Sequence, residues 1–290
     1  MAFETKATIA NFGGKLLKLQ HQSSSTGTPM DVNLFLPPAA VSGSKVPVLI
    51  YLSGLTCTPQ NCTEKGFFQA HAARKNIALV WPDTSPRSAS TDLFQGEAES
   101  WDFGAGAGFY VDATREPWSA RYRMETYIAS ELPAALFAAF PDALDAGRVS
   151  VTGHSMGGHG ALTLYLKNPG KYRSVSAFAP IANPTRCPWG EKAFTGYFGG
   201  EDREAWKKHD ATELVRAWAG KDIKALIDVG TGDNFYKQGQ LLPENFEKAV
   251  REAGVKGVEV RYQPDYDHSY FFMSTFAGDH VEHAAKYLFA

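Results

Sequence analysis

The chain has 290 residues, of which 44% are hydrophobic and 13% aromatic, enough to bury a large core. Its 29 Lys and Arg against 31 Asp and Glu give a net charge of −2, and no basic block is present to track a phosphate backbone, so nucleic acid is not an expected partner. The longest apolar run, VPVLIYL, has seven residues, where a membrane helix needs roughly 20, so no membrane span is expected.

The N-terminal segment MAFETKATIANFGGKLLKLQHQ lacks the apolar centre and cleavage site of an export signal. Cys57, Cys62 and Cys187 make no disulfide framework, and with no export signal they predict a reducing, cytoplasmic setting. MDVNLFLPP (30–38) alternates, with Met30, Val32, Leu34 and Leu36 on one face, as in a half-buried antiparallel strand. VPVLIYL (46–52) and IALVWPD (77–83) are continuously apolar, as in strands buried on both faces. Between them FFQAHAARKN predicts a short helix closed by Asn76. Residues 84–122 carry little periodic structure. YRMETYIASELPAALFAAF (122–140) predicts a longer helix kinked at Pro133.

RVSVTG (148–153) predicts a strand, and MGGHGALTLYLKNP a helix stopping near Pro169. YRSVSAFAPIA (172–182) reads as a strand, and residues 183–202 as irregular. KALIDVG (224–230) predicts a strand, LPENFEKAVREAG (242–254) a helix with a glycine stop, GVEVRYQP (257–264) a strand, and STFAGDHVEHAAKYL (274–288) the closing helix. Strand followed by helix, repeated, predicts an α/β fold: a mostly parallel central sheet with helices on both faces. With no repeat, low-complexity run or linker, one domain over 1–290 is expected. Long irregular segments in such a domain serve as loops or lids, so 84–122 and 183–202 are expected over a site.

GHSMG (153–157) is a G-x-S-x-G pattern between a predicted strand and a predicted helix. A nucleophile on so sharp a turn needs a strained backbone. Side chains at Gly153 and Gly157 would collide with the adjoining strand and helix, and Gly158 gives room for close packing. The turn lifts the Ser155 hydroxyl clear of the sheet and leaves the Met156 N–H unpaired at a helix start.

A serine hydroxyl needs a base, and eight histidines compete. His154 flanks the serine, but neighbouring side chains on a turn diverge, so a structural role is expected. His159 lies on the following helix. His280 and His283 read as a solvated helix face, and His21, His71 and His209 sit in ordinary polar surroundings. His268, in YDHSYFF, falls in the loop after a late strand, where a parallel sheet builds its site. The base in turn needs an acid. Asp233 lies just after the strand KALIDVG; its rival Asp228 lies inside that apolar run, where a carboxylate is costly unless paired. Ser155, Asp233, His268 is the chain order of α/β-hydrolases. The loop YLSGLTCT can present a second backbone donor for an oxyanion, the Leu55 N–H, beside that of Met156.

YLSGLTCTPQN, PDTSPR, ESWDFGAGAGFYVDAT, GHSMGGHGAL, SVSAFAPIANP, CPWG, GQLLPENF and YDHSYFF together resemble the S-formylglutathione hydrolase (esterase D) family, over nearly the whole chain. The resemblance implies an α/β-hydrolase fold with no cofactor, a cytoplasmic homodimer, and S-formylglutathione as the small-molecule substrate, hydrolysed to glutathione and formate in formaldehyde detoxification. It places nucleophile, acid and base on Ser155, Asp233 and His268, and oxyanion donors on Leu55 and Met156. The sequence departs from the family at PRSAST, which lacks the glycine that often follows SPR, and at GTGDNF, which varies the acid loop. GAGAG (104–108) has neither the strand–helix setting nor the spacing of a dinucleotide loop, so it reads as a loop packed beside the site. Cys57 is either a thiol that blocks the site when modified or a small packed residue. Trp189 is either a pocket wall or packing. Arg87, Arg115 and Lys192 are candidates for the glutathione carboxylates. A general short-chain carboxylesterase is the alternative activity.

Overall fold

A computed structural model describes residues 2–87 and 94–290. Its backbone is one sheet of nine strands in the order β1-β2-β3-β5-β4-β6-β7-β8-β9. The strands are β1 (Glu4–Asn11), β2 (Gly14–Gln22), β3 (Pro29–Leu36), β4 (Val46–Leu52), β5 (Ala78–Pro82), β6 (Leu144–Gly153), β7 (Val175–Phe178), β8 (Asp222–Gly230) and β9 (Lys256–Gln263). The first three pair antiparallel and join β5 antiparallel. From β5 to β9 every pairing is parallel. The expected mostly parallel sheet with packed helices is therefore present.

Every residue of β4 and β5 is buried, as their unbroken apolar runs predict for strands with neighbours on both sides. In β3 burial passes from alternation to continuity at Val32, because Asn33 and Phe35 are covered as well as Val32 and Leu34. The β1–β2 hairpin is not among the predicted strands. Its two-residue turn, Phe12-Gly13, lies in the left-handed region (φ 45° and 74°), a hairpin turn geometry that normally marks itself with Asn-Gly or Asp-Gly. β1 is mostly exposed, and its register against β2 slips between Thr5 and Ala7.

Two helical readings need correction. Residues 122–140 form an α-helical turn Met124–Thr126, a π-helical turn Tyr127–Glu131 and the α-helix Leu132–Ala139. Pro133 has no N–H to offer the Ala129 carbonyl, and the Lys171 ammonium donates to it instead. Residues 183–202, expected to be irregular, contain the helix Pro188–Phe198, capped by the Cys187 sulfur accepting from the Gly190 N–H at 3.4 Å. Its glycines hide the helical pattern while serving the packing. A Cβ at Gly190 would lie 2.0 Å from the Pro184 carbonyl oxygen, and one at Gly196 would strike the Phe103 ring at 2.3 Å.

Of the histidines of the last helix, Tyr270–Leu288, expected on a solvated face, one is buried and the other half-buried. His280 is fully buried, stacks on Phe178 with ring centroids 3.6 Å apart, and meets Asp228 Oδ2 at 2.9 Å. His283 is half-buried and reaches the Val175 carbonyl at 3.1 Å. Helix faces that pack onto a sheet can hold histidine because strand-end carbonyls and carboxylates supply partners. His21 is likewise buried, with Tyr127 OH 2.9 Å from its Nε2.

The helix Met156–Lys167 packs against β6 and β7 and is tied to the long loop by His159. His159 Nε2 lies 3.0 Å from the Phe109 carbonyl oxygen, which can only accept, so that nitrogen carries the hydrogen. Burial pushes the His159 pKa down to about 3. An unfolded histidine takes up its proton below about 6.5, so between those values the unfolded chain binds more protons and stability falls as pH falls. The slope from one such group is at most about 1.4 kcal/mol per pH unit. His159→Gln, which keeps a donor for Phe109, should flatten the pH dependence of the urea-unfolding free energy between pH 6 and 4.5 by about that amount. An unchanged slope would refute the assignment.

Candidate active site

Ser155 stands at the junction of β6 and the helix Met156–Lys167 with φ 57° and ψ −122°, a backbone that non-glycine residues rarely adopt. The surrounding main chain holds it there. The Ser155 N–H donates to the Phe178 carbonyl (2.9 Å), and the Ser155 carbonyl accepts from Ile181 (3.2 Å) and His159 (3.0 Å). The glycines on either side are required: a Cβ at Gly153 would lie 2.4 Å from the Gly157 oxygen, and one at Gly157 2.0 Å from the Leu52 oxygen. Gly158 lets the helix approach Pro180, whose Cβ would lie 2.9 Å from an added methyl.

Asp233 follows β8 and is fully buried. Its Oδ1 accepts the N–H groups of Phe235 (2.7 Å) and Tyr236 (3.3 Å), and its Oδ2 lies 2.5 Å from His268 Nδ1. A carboxylate on Nδ1 fixes the hydrogen there and leaves the Nε2 lone pair free to take a proton. The two loops are pressed together backbone to backbone. A Cβ at Gly230 would meet the Tyr266 oxygen at 2.2 Å, and one at Gly232 the Asp265 oxygen at 2.4 Å. The GTGD loop that carries Asp233 is therefore shaped by the loop before His268 lying on it. Asp228 is the paired strand carboxylate, bound by Arg261 at 2.5 and 2.8 Å, Gln263 at 2.8 Å and His280 at 2.9 Å. Burial pushes its carboxyl up, but the bonds from His280 and Arg261 outweigh this and hold it below the usual carboxylate range.

Ser155 and His268 line one cavity of about 250 Å³ with Leu55, Thr56, Cys57, Trp101, His154, Trp189, Phe235, Tyr270 and Met273. Among the described residues neither the Leu55 nor the Met156 N–H donates to another backbone group. His154 accepts the Gly54 N–H on Nε2 (3.1 Å), so its Nδ1 donates to Tyr51 OH (2.9 Å). Burial lowers its pKa to about 3, leaving it neutral and structural beside the serine. The parts present are a hydroxyl on a strained turn, an imidazole held through Nδ1 alone among the described residues, a buried carboxylate behind it and two N–H groups with no backbone partner among the described residues. Together they can perform acyl transfer.

Cys57 and Trp189 both reach the cavity wall. The Cys57 sulfur is 3.7 Å from Tyr270 OH and 3.9 Å from His154 Nε2, and burial pushes its thiol pKa up. Trp189 sits in an aromatic series: Trp101 packs edge-on against it at 5.5 Å, Phe235 at 4.7 Å, and Phe235 meets the His268 ring at 4.9 Å and 90°. Trp101, Phe235 and Tyr270 are not among the sequence candidates. Phe235 and Tyr270 each stand two residues after a triad candidate, which is the signal that could have found them. The expected cation set does not line this cavity. Arg87 binds Asp83, Arg115 reaches the Thr195 carbonyl (3.4 Å), and Lys192 pairs with Asp102. The substituted position after SPR, within 88–93, lies outside the described residues.

No helix among the described residues is long and apolar enough to cross a membrane. The Esterase family model matches residues 23–285. The chain is 51% identical to the S-formylglutathione hydrolase of Mus musculus over 99% of both proteins, and 48% identical to that of Paracoccus denitrificans over the same shares. Among solved structures, an S-formylglutathione hydrolase from Agrobacterium tumefaciens superposes with a TM-score of 0.90 at 42% identity, covering 99% of this chain and 100% of that one. A ferulic acid esterase at 17% identity and TM-score 0.70 shares the fold. With the fold, the glycine-framed serine and these full-length likenesses in hand, the chain belongs to the S-formylglutathione hydrolase family of esterases.

Proposed function

We propose that this chain hydrolyses S-formylglutathione to glutathione and formate, with Ser155 as nucleophile, His268 as base and Asp233 as its acid partner. The observation that carries the reading is the 2.5 Å contact between His268 Nδ1 and Asp233 Oδ2, in a residue lining the same cavity as the strained Ser155. The near 50% identity to proteins named for this activity supports the substrate.

His268 Nε2 takes the Ser155 hydroxyl proton as Oγ bonds to the formyl carbon. The negative carbonyl oxygen is held by the Leu55 and Met156 N–H groups. The carbon–sulfur bond then breaks, and the proton passes from His268 to the departing sulfur. A formyl ester remains on Ser155. Water gives one proton to His268 as its oxygen bonds to the formyl carbon; the carbon–Oγ bond breaks, Oγ regains that proton, and formic acid leaves, losing its remaining proton to solvent to become formate. Asp233 keeps the imidazole in the right tautomer and stabilises its charged form. The chemistry needs no cofactor. A one-carbon acyl group needs only a narrow part of this aromatic-walled cavity, whose wall includes Cys57 and Trp189. The same reading takes the chain as a single domain acting as a cytoplasmic homodimer in formaldehyde detoxification.

Ser155→Ala should lower S-formylglutathione turnover by roughly 10⁴ or more, followed as loss of thioester absorbance. Asp233→Asn should cost about 10⁴ in kcat by presenting the wrong tautomer. Across S-acylglutathiones of rising acyl length, kcat/KM should fall steeply from formyl onward. Equal rates on formyl and hexanoyl substrates would instead establish a general carboxylesterase.

A further inference from the structure

The segment Ser53–Cys57 after β4 carries an unusual backbone. Thr56 has φ 68°, a left-handed conformation that costs a β-branched residue of order 1–3 kcal/mol and persists only where the surroundings impose it. The surroundings are explicit. The Ser53 carbonyl accepts from Tyr110 OH (2.8 Å), and the Gly54 N–H donates to His154 (3.1 Å). The Thr56 N–H donates to the Gly106 carbonyl (2.8 Å). The Cys57 carbonyl accepts two bonds, from Thr84 Oγ1 (2.6 Å) and Arg87 Nη2 (3.0 Å).

Arg87 is itself aimed by Asp83, whose two carboxylate oxygens both lie 3.0 Å from its Nε. Gly106, at φ +77°, approaches so closely that a Cβ there would lie 3.0 Å from Thr56 Cα and 3.3 Å from Arg87 Nη2. The Gly106 N–H in turn donates to Ser85 Oγ (2.8 Å). PDTSPR and GAGAG, separated in sequence, thus close on one short loop. Flanking groups of the loop are engaged, while the Leu55 N–H donates to no backbone group among the described residues.

We propose that Arg87, aimed by Asp83 and assisted by Thr84 and Gly106, is a positioning residue for oxyanion stabilisation: it clamps the Cys57 carbonyl, holds Thr56 in its left-handed backbone and so keeps the Leu55 N–H directed at the reaction centre. This rests on the reading of Leu55 as an oxyanion donor. It gives Arg87 a role other than gripping the substrate, and gives GAGAG the role of a backbone brace. The clamp acts on the tetrahedral state, where negative charge has developed on oxygen, and not on the bound thioester.

The test compares Arg87→Ala, Arg87→Lys and Thr84→Val with wild type and Ser155→Ala on S-formylglutathione. Arg87→Ala should lose about 10- to 100-fold in kcat with KM within about twofold, short of the 10²–10³ that outright loss of one oxyanion donor costs. Its affinity for a trifluoromethyl ketone, which forms a tetrahedral adduct, should fall in step, while affinity for S-methylglutathione stays put. Added guanidinium ion should restore part of the Arg87→Ala rate, and Arg87→Lys should remain impaired because an ammonium cannot span Asp83 and the Cys57 carbonyl together. If Arg87→Ala does not fold, Thr84→Val, which removes the other donor to that carbonyl, carries the same expectation. Unchanged kcat, or equal losses of ketone and S-methylglutathione affinity, would overturn the clamp. Full activity in Ser155→Ala would instead overturn the underlying triad reading, so the two failures are separable.

Discussion

The site depends on one close approach of backbone to backbone. The end of β4 and the start of the helix after β6 touch at Leu52 and Gly157, where an added methyl would lie 2.0 Å from a carbonyl oxygen. Only with no side chain there can the loop after β4 and the turn after β6 share one cavity. That single contact brings Leu55 beside Ser155, although the two are far apart in sequence. The parallel pairing of β4 with β6 makes the contact reproducible, because both strands end at the same level of the sheet.

A second pair of loops is built by the same rule. β8 and β9 run parallel, so the chain leaves both at one end, and Gly230 and Gly232 let the Asp265–Tyr266 backbone lie directly on the loop that carries Asp233. Asp233 then works in two directions. One oxygen caps a short helical turn, and the other meets His268. The cap fixes the carboxylate before the imidazole is considered. A buried carboxylate without those N–H partners would be costly.

Much of this was legible in the sequence. Unbroken apolar runs marked β4 and β5, the shorter run KALIDVG marked β8 despite Asp228 within it, and G-x-S-x-G between a strand and a helix marked the turn at Ser155. Asp228 was set apart from Asp233 by the cost of burying an unpaired carboxylate, and its partners Arg261, Gln263 and His280 are the pairing that such a position requires. What was hidden depends on contacts far apart along the chain. The helix Pro188–Phe198 is obscured by glycines whose purpose lies in Pro184 and Phe103. His280 reads as a surface residue until the strand beneath it is known. Arg87 reads as a free cation, and its bond to a carbonyl 30 positions earlier has no local signature.

The outer strand β1 has a consequence for how the molecule behaves in a crowded solution. A sheet of nine strands with an open margin offers unpaired amide and carbonyl groups to any other extended chain. Here the margin is irregular and charged: the register slips between Thr5 and Ala7, and Lys6 pairs with Glu4 at 2.7 Å on the exposed strand. An incoming strand would meet the bulge and the ion pair at the Glu4–Ala7 end, which shortens the regular template to Ala7–Asn11. The hairpin that the sequence pattern did not announce thereby acts as a stop for the sheet, protecting the apolar strands behind it from fibrous self-association.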